Sequence, residues 1–109
     1  MINIYDLPEP VEFEWDRGNI EKNLVKHNVS NSEIEEVFIN TPLLFFPDPS
    51  HSSAEEKRHG ALGRTHTGRM LQVIFTIRKN KIRAISARDM NKRERQFYEE
   101  AKRDSEIQG

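Results

Sequence analysis

The sequence predicts an α+β domain with two N-terminal helices, a roughly four-stranded antiparallel sheet and one C-terminal helix. Three observations support this prediction. Residues 69–88 hold two apolar runs, rich in β-branched side chains, on either side of a short polar turn, which is the pattern of an antiparallel hairpin. Ser30 and Glu33 form a capping box in front of apolar residues at helical spacing. Apolar residues at helical spacing return after Asp89.

The length of 109 residues fits one domain, expected to span residues 1–109, with an extended arm at 1–11 and a frayed tail at 106–109. The composition, 35% hydrophobic and 32% charged, predicts a modest core under a highly charged surface. The chain has no cysteine, which excludes a disulfide framework and thiolate chemistry. No apolar run approaches the ~18 residues of a membrane span, and the first residues lack a secretory signal, so we expect a soluble cytoplasmic protein that binds no membrane.

The net charge of −1 hides an asymmetry between the two halves of the chain. Residues 1–56 contain 3 Lys or Arg and 12 Asp or Glu, whereas residues 57–109 contain 14 and 6. Such asymmetry points toward a polyanionic partner for the basic half. The alternative is that the two halves attract each other within the fold, and charge alone does not separate these interpretations.

The N-terminal half predicts a short strand followed by two helices. Residues 12–16 alternate acid with aromatic, so Phe13 and Trp15 share one side of an extended segment, and Asp16 is a plausible N-cap. The first helix is expected over residues 17–27 and the second over about 31–39.

Four strands are expected next. The first covers residues 43–46 and is followed by a polar loop over 47–53. The second covers 56–64, although its two glycines weaken it, and a turn at 65–68 leads into the hairpin. The last helix is expected over about 90–105, capped by Asp89, with Met90, Phe97 and Ala101 as its apolar stripe.

The hairpin predicts one apolar face and one cationic face. If Lys79 and Asn80 form a two-residue loop, the facing pairs are Ile77 with Ile82, Phe75 with Ala84 and Thr76 with Arg83. Side chains alternate along a strand, so Arg78 and Arg83 then share the face opposite the apolar one. By strict alternation Arg88 lies on the apolar face, unless a β-bulge re-aims it.

Arginines on such a face suit the binding of phosphate, because the planar guanidinium stays charged and matches phosphate oxygens. Arg78 and Arg83 are the best candidates, and the alternative is a solvated sheet face. Arg88 either joins them or pairs with a carboxylate such as Glu94. Glu56 and Arg58, two residues apart on a strand, either form an acid–cation pair at the site or an ordinary surface salt bridge.

Histidine is the natural acid or base near pH 7, and the chain has four. His27 ends the first helix, where the helix dipole favours its charged form, and the alternative is a role in capping that helix. His51 lies in the polar loop, and His59 and His66 are expected at the surface. No pair has zinc-site spacing and there is no cysteine, so neither a metal nor another cofactor is expected.

Several phrases, taken in order, resemble the BrnT family of toxins over roughly residues 12–100. They lie at residues 13–16 (Phe-Glu-Trp-Asp), 23–30 (Asn-Leu-Val-Lys-His-Asn-Val-Ser), 48–52, 56–58, 63, 68–71, 82–88 and 94–99. Asn28 departs from the glycine usual in the family, but Asn also adopts the left-handed conformation, so no change of fold is expected.

The resemblance implies a type II toxin–antitoxin system and a compact relative of the RelE-type ribonucleases. It implies an endoribonuclease that cleaves RNA without a metal and arrests growth. It also implies a ribbon-helix-helix, BrnA-like antitoxin that wraps the toxin, so that the chain meets operator DNA only through its partner.

The residues and the resemblance together assign a candidate site. Its catalytic members are expected to be His27, Arg78, Arg83 and Glu56. Its further RNA-binding residues are expected to be Lys26, Arg58, Arg69, Lys81, Arg88 and Tyr98, where Tyr98 either stacks a base or packs against the sheet. The alternative function is a non-catalytic module that binds the antitoxin and acts as a transcriptional co-repressor, with the acidic front half as its docking surface.

Overall fold

The computed structural model of the chain describes residue 7 and residues 11–19, 26–47 and 56–108, with side chains as far as residue 104. The elements in order are α1 (Asn31–Val37), β1 (Leu44–Pro47), β2 (His59–Arg64), β3 (Met70–Arg78), β4 (Lys81–Asp89) and α2 (Lys92–Gln108). The strands form one sheet in the order β1-β2-β3-β4, and every neighbouring pair is antiparallel. The predicted α+β class and four-stranded antiparallel sheet are therefore confirmed.

The described residues contain two complete helices, whereas three helices were predicted. The first predicted helix falls mostly on residues 20–25, outside the described ranges, and only Lys26 and His27 are seen in helical conformation. Its predicted start is wrong, because residues 17–19 form a turn instead. The Asp16 carboxylate accepts from the Gly18 N–H at 2.8 Å, and the Asn19 N–H donates to the Asp16 carbonyl at 3.1 Å. This local bonding closes a turn rather than opening a helix.

Helix α1 begins as predicted, at the capping box. Glu33 N–H donates to Ser30 Oγ at 3.2 Å, and Ser30 N–H donates to Glu33 Oε1 at 3.0 Å. The helix ends at Val37, two residues earlier than expected, because the Phe38 N–H bonds three residues back to the Glu35 carbonyl. A tightened last turn of this kind is common at helix ends.

Two strand boundaries differ from the prediction. Strand β1 is shifted by one residue, and the loop that follows it lies largely outside the described ranges, since residues 48–55 are not described. Strand β2 begins at His59 instead of residue 56. Before it, the Lys57 carbonyl accepts from the Thr76 hydroxyl at 2.8 Å, so a side chain replaces the backbone ladder there.

The β3–β4 hairpin has the predicted register at its loop end. Phe75 pairs with Ala84, Thr76 with Arg83 and Ile77 with Ile82. Lys79 and Asn80 form the two-residue loop, with φ of 52° and 65°. Two consecutive positive φ values characterise the type I′ turn, whose twist matches that of the flanking strands.

A β-bulge at Ile85 changes the faces of the rest of β4. Ile74 pairs with Ser86 and Phe75 with Ala84, which leaves Ile85 as the extra residue. Beyond it, Ala87 is fully buried opposite Val73. Strict alternation, which would place Arg88 on the apolar face, therefore fails beyond the bulge, because one inserted residue exchanges the two faces.

The main core lies on one face of the sheet, called here the core face. Leu71, Val73 and Phe75 of β3 are fully buried there, in one cluster with residues of α1. Helix α1 approaches closely, since a Cβ on Gly63 would lie 2.6 Å from Val37 Cγ1. Phe13 forms a parallel bridge with Ile82 of β4 and packs against this cluster.

Helix α2 packs on part of the opposite face of the sheet, called here the open face. Met90 and Tyr98 are buried there against Leu62. The predicted stripe is wrong for Phe97, which is 60% exposed, because the neighbouring Tyr98 turns inward instead. None of the helices in the described ranges is both long and apolar enough to span a membrane.

The ends of α2 also differ from the prediction. Its cap is Asn91, whose Oδ1 accepts from Glu94 N–H at 2.8 Å, whereas Asp89 still belongs to β4. The helix continues to Gln108, through residues predicted as a tail, since no glycine or proline interrupts it before Gly109.

Candidate functional site

The uncovered part of the open face contains a groove made of two adjoining cavities. The first, called here the arginine cavity, has a volume of about 220 Å³ and is lined by Arg58, Arg78, Arg83 and Glu56 among others. The second, called here the central cavity, has a volume of about 310 Å³. Arg58 and Ile85 line both cavities, so the two cavities adjoin.

Arg83 lies at the base of the arginine cavity and is 9% exposed. Its Nη1 donates to Asp16 Oδ2 at 2.7 Å and to Glu14 Oε1 at 2.9 Å, and its Nη2 donates to Asp16 Oδ1 at 2.9 Å. The hydrogen bonds from Arg83 and from the Gly18 N–H lower the pKa of Asp16 below its usual value. The Arg83 guanidinium is thus neutralised by two carboxylates of the N-terminal segment.

A polar turn holds these carboxylates in place. Asn19 is 2% exposed, and its Nδ2 donates to the Glu14 carbonyl at 2.9 Å and to the Ala84 carbonyl at 3.2 Å. Its Oδ1 accepts from the Asp16 N–H at 2.8 Å. A buried amide with three satisfied hydrogen bonds positions the turn against β4.

Glu14, Asp16 and Asn19 were missing from the sequence-based site. The acid–aromatic alternation of residues 12–16 contained part of the signal, because burying Phe13 and Trp15 leaves Glu14 and Asp16 on the other side of the segment. The alternation did not indicate that this segment pairs with β4. Residues 12–14 lie beside Ile82 through two backbone hydrogen bonds of 2.8 Å each, and this pairing brings the carboxylates of Glu14 and Asp16 to Arg83.

Arg78 and Arg58 lie on either side of Glu56. Arg78 Nη2 is 3.0 Å from Glu56 Oε1, and Arg58 Nη2 is 3.5 Å from Glu56 Oε2. The Arg78 side chain is 46% exposed, against 11% for that of Arg83, so Arg78 is the more accessible cation. The structure therefore brings four residues of the sequence-based site into one cavity, namely Glu56, Arg58, Arg78 and Arg83.

Arg88 lies on the open face because of the bulge, next to the central cavity, and is ion-paired. Its Nη1 is 2.8 Å from Glu94 Oε1 of α2, and Gln72 Nε2 donates to Glu94 Oε2 at 2.9 Å. Burial acts to raise the pKa of Glu94, but the hydrogen bonds from Arg88 and from Asn91 N–H outweigh it and lower that pKa. Of the two roles predicted for Arg88, pairing with Glu94 is the one seen.

His27, Lys26 and Arg69 lie at the other end of the hairpin. Arg69 donates from Nη1 to the Asn28 carbonyl at 2.8 Å and forms ion pairs with Asp89 at 2.7 Å and Glu33 at 3.1 Å. Strand β3 has nine residues, and at about 3.3 Å per residue its two ends are roughly 26 Å apart. The structure therefore does not bring these three residues together with Arg78 and Arg83.

Tyr98 is 1% exposed, and its hydroxyl donates to the Pro42 carbonyl at 2.7 Å. Burial raises the pKa of this phenol. Tyr98 therefore packs in the core rather than lining the groove. Lys81 is exposed at the hairpin loop, opposite Arg78.

The remaining histidines lie away from the groove or outside the described ranges. His59 is partly buried on the core face with its ring centroid 5.6 Å from that of Phe75, which corrects its prediction as a surface residue. Burial there lowers the pKa of His59. His66 is exposed near Asn40, and His51 is outside the described residues. Among the described side chains, no group of three or more His, Asp or Glu is arranged to hold a metal ion.

Comparison with known proteins identifies one matching family. A family model described as "Ribonuclease toxin, BrnT, of type II toxin-antitoxin system" matches residues 15–94. No individual curated protein matches the chain. The matched range contains Asp16, the arginine cavity, the hairpin and Glu94 at the start of α2.

Proposed function

This chain belongs to the BrnT family of ribonuclease toxins of type II toxin–antitoxin systems, and on that basis we propose that it arrests growth by cutting RNA in the groove on the open face. The family implies an RNA substrate and a protein antitoxin. The observation that carries the proposal is the convergence of three arginines and Glu56 on one accessible cavity.

Arg78 is proposed to bind the scissile phosphate directly, since its side chain is the more exposed of the two hairpin arginines in the cavity. Arg83 binds it from the base of the cavity, where the phosphate takes the place of the Asp16 carboxylate. That exchange replaces one bidentate anion with another and keeps the guanidinium paired. Asp16 is half exposed, so solvent can receive its carboxylate when it is displaced.

Glu56 is proposed as the base. It takes the proton of the ribose 2′-hydroxyl, whose oxygen attacks the neighbouring phosphorus while the bond from phosphorus to the 5′-oxygen breaks. The leaving oxygen takes a proton from water, and the products are a 2′,3′-cyclic phosphate and a 5′-hydroxyl. The guanidiniums stabilise the charge that builds on the phosphoryl oxygens. Because cationic side chains supply this stabilisation, the reaction is proposed to proceed without a metal.

The partner is proposed to be a ribbon-helix-helix antitoxin, through which the complex contacts operator DNA. The fold is proposed to be related to the RelE-type ribonucleases, since an antiparallel sheet carries helices and leaves part of one face open. A cytoplasmic location follows from a substrate that is cellular RNA.

A second function is supported by the ion pairs themselves. Arg83 is paired with Glu14 and Asp16, and Arg88 with Glu94, so their charges are neutralised in the free chain. A non-catalytic module that binds an antitoxin and represses transcription would need no free cation in the groove. The two functions predict different behaviour on naked RNA.

The test compares wild type, Arg78→Ala and the control Arg93→Ala, which removes an exposed arginine of α2. Growth is followed on induction, and the purified proteins are incubated with bulk RNA and EDTA. Growth arrest and EDTA-resistant cleavage by wild type and control, both lost in Arg78→Ala, would support the nuclease. Neither arrest nor cleavage from folded wild-type protein would favour the co-repressor, and cleavage abolished by EDTA would contradict metal independence.

A further inference from the structure

The central cavity has an apolar floor, whereas the adjoining arginine cavity is lined by four charged side chains. The pairing register aligns Phe46, Gly60, Ile74 and Ser86 in one row across all four strands. The Phe46 ring covers Gly60 and leaves no room for a Cβ there. The bulge adds Ile85 to the same cavity. One aromatic ring and two branched aliphatic side chains are therefore partly exposed together.

Polar groups border this floor on both sides. Arg58 lies between it and the arginine cavity, and Gln72 and Arg88 lie beyond it. The Gln72 amide donates to the Glu94 carboxylate, which only accepts, so the orientation of the amide is set. Its carbonyl oxygen accepts no hydrogen bond from the described residues and can accept one from a ligand.

We propose that the central cavity seats one nucleobase of the RNA, next to the phosphate that is held in the arginine cavity. The proposal rests on the proposed function and identifies what part of the substrate this second cavity takes. A base is flat, apolar on its faces and polar at its edge. The cavity matches it with Phe46, Ile74 and Ile85 as an apolar floor and with Gln72 at the rim.

The spacing of the two cavities fits consecutive parts of one nucleotide chain. Ile74 and Thr76 point to the same face and are two residues apart, so their rows are separated by about 7 Å. Thr76 pairs with Arg83, whereas Ile74 pairs with Ser86. A base on the Ile74 row therefore lies within one nucleotide's length of a phosphate on the Arg83 row. Single-stranded RNA is commonly bound in this way, with its backbone on cations and its bases on apolar side chains.

The ligands for the test are two trinucleotides methylated at every 2′-oxygen, which blocks the attacking group and prevents cleavage. One carries all three bases and the other is abasic throughout. Binding is measured by fluorescence anisotropy for wild type, Ile85→Ala, Ile74→Ala and the control Ile39→Ala. Ile39 is 67% exposed and follows α1, which packs on the core face. Thermal unfolding establishes that each variant is folded.

We expect wild type and Ile39→Ala to bind the base-containing trinucleotide about tenfold or more tightly than the abasic one. Ile74→Ala and Ile85→Ala should lose most of that ratio while their affinity for the abasic ligand stays unchanged. The base seat would be overturned if both groove variants were folded and kept the wild-type ratio of the two affinities. It would also be overturned if wild type bound both ligands equally. Neither result would contradict RNA binding itself. A wild type that binds neither ligand would overturn the proposed RNA-binding function and the base seat together.

Discussion

Arg83 and Asp16 are 67 residues apart in the chain and meet in a bidentate ion pair, with Nη1–Oδ2 and Nη2–Oδ1 distances of 2.7 and 2.9 Å. The pair joins the acidic N-terminal segment to the basic hairpin. Here an acidic residue of the N-terminal half and a basic residue of the C-terminal half attract each other within the fold. It also means that any anion bound by Arg83 competes with Asp16.

Replacing Arg83 should remove the activity without unfolding the chain. In Arg83→Ala we expect cleavage to fall about 10²-fold and growth arrest to disappear, because the phosphoryl charge loses a preorganised guanidinium. Arg83→Lys should recover only part of the activity, since lysine keeps the charge but not the bidentate geometry. Circular dichroism checks the fold. Unchanged growth arrest by folded Arg83→Ala would contradict the assignment.

Glu56 and His27 are the two candidates for proton transfer, and their variants separate them. Glu56→Gln should lower the cleavage rate about 10²–10⁴-fold while RNA affinity stays the same, because the amide cannot take a proton. His27→Ala should leave the rate unchanged, since Arg69, which donates to the His27 carbonyl, adjoins the end of β3 remote from Arg78. The opposite result would move the site to the other end of the hairpin.

Arg69 is expected to stabilise the fold rather than bind substrate. It connects Asp89 of β4, Glu33 of α1 and the Asn28 carbonyl. Arg69→Met should lower the free energy of unfolding by about 2 kcal/mol, because hydrogen bonds to charged groups are lost. Urea denaturation measures this loss. Weaker RNA binding at unchanged stability would instead favour the RNA-binding role predicted from the sequence.

Tyr98→Phe distinguishes packing from base stacking. Losing the 2.7 Å hydrogen bond to the Pro42 carbonyl should cost about 1 kcal/mol of stability. RNA affinity should be unchanged, because the ring is buried and remains in place in the variant. The two quantities are measured by thermal unfolding and anisotropy. A drop in affinity without a drop in stability would restore Tyr98 to the site.

The chain should lose stability in acid. The folded-state pKa values of Asp16, Asp89, Glu33 and Glu94 are all lowered, chiefly by hydrogen bonds from Arg83 for Asp16 and from Arg69 for Asp89. For Glu33, burial acts to raise the pKa, but hydrogen bonds from Ser30 and Arg69 outweigh it. For Glu94, hydrogen bonds from Arg88 and Asn91 outweigh burial in the same way. A lowered folded pKa contributes stability that is present above the unfolded value, about 4, and is lost as pH falls through the folded value.

Urea midpoints at pH 7, 5 and 3 test this pH dependence. The midpoint should fall slightly between pH 7 and 5, where the unfolded chain protonates His59 before the folded chain does, and should fall further by pH 3. Arg69→Met, which removes the partner of Asp89 and Glu33, should show a shallower fall than wild type. A midpoint that rises toward pH 3 would contradict the sign of the effect.

Much of the fold could be predicted from the sequence because its signals are local. The capping box joins Ser30 and Glu33, which are three residues apart in the chain. The loop of Lys79 and Asn80 is equally local, and it sets the register that pairs Ile77 with Ile82. The shared face of Arg78 and Arg83 followed from that register. The errors at Phe97 and Asp89 arose because a residue one or two positions further along the chain, Tyr98 or Asn91, takes the predicted place.

The class of fold, the hairpin register near its loop and the family of the chain all follow from local patterns of residues. The tertiary structure alone decided which charges meet, because ion pairs such as Arg83–Asp16 join segments that are distant in the chain. It also decided the direction of Arg88, since the bulge at Ile85 inserts one residue that no local pattern announces. The two cavities of the groove exist only where these long-range pairings bring three strands and the N-terminal turn together.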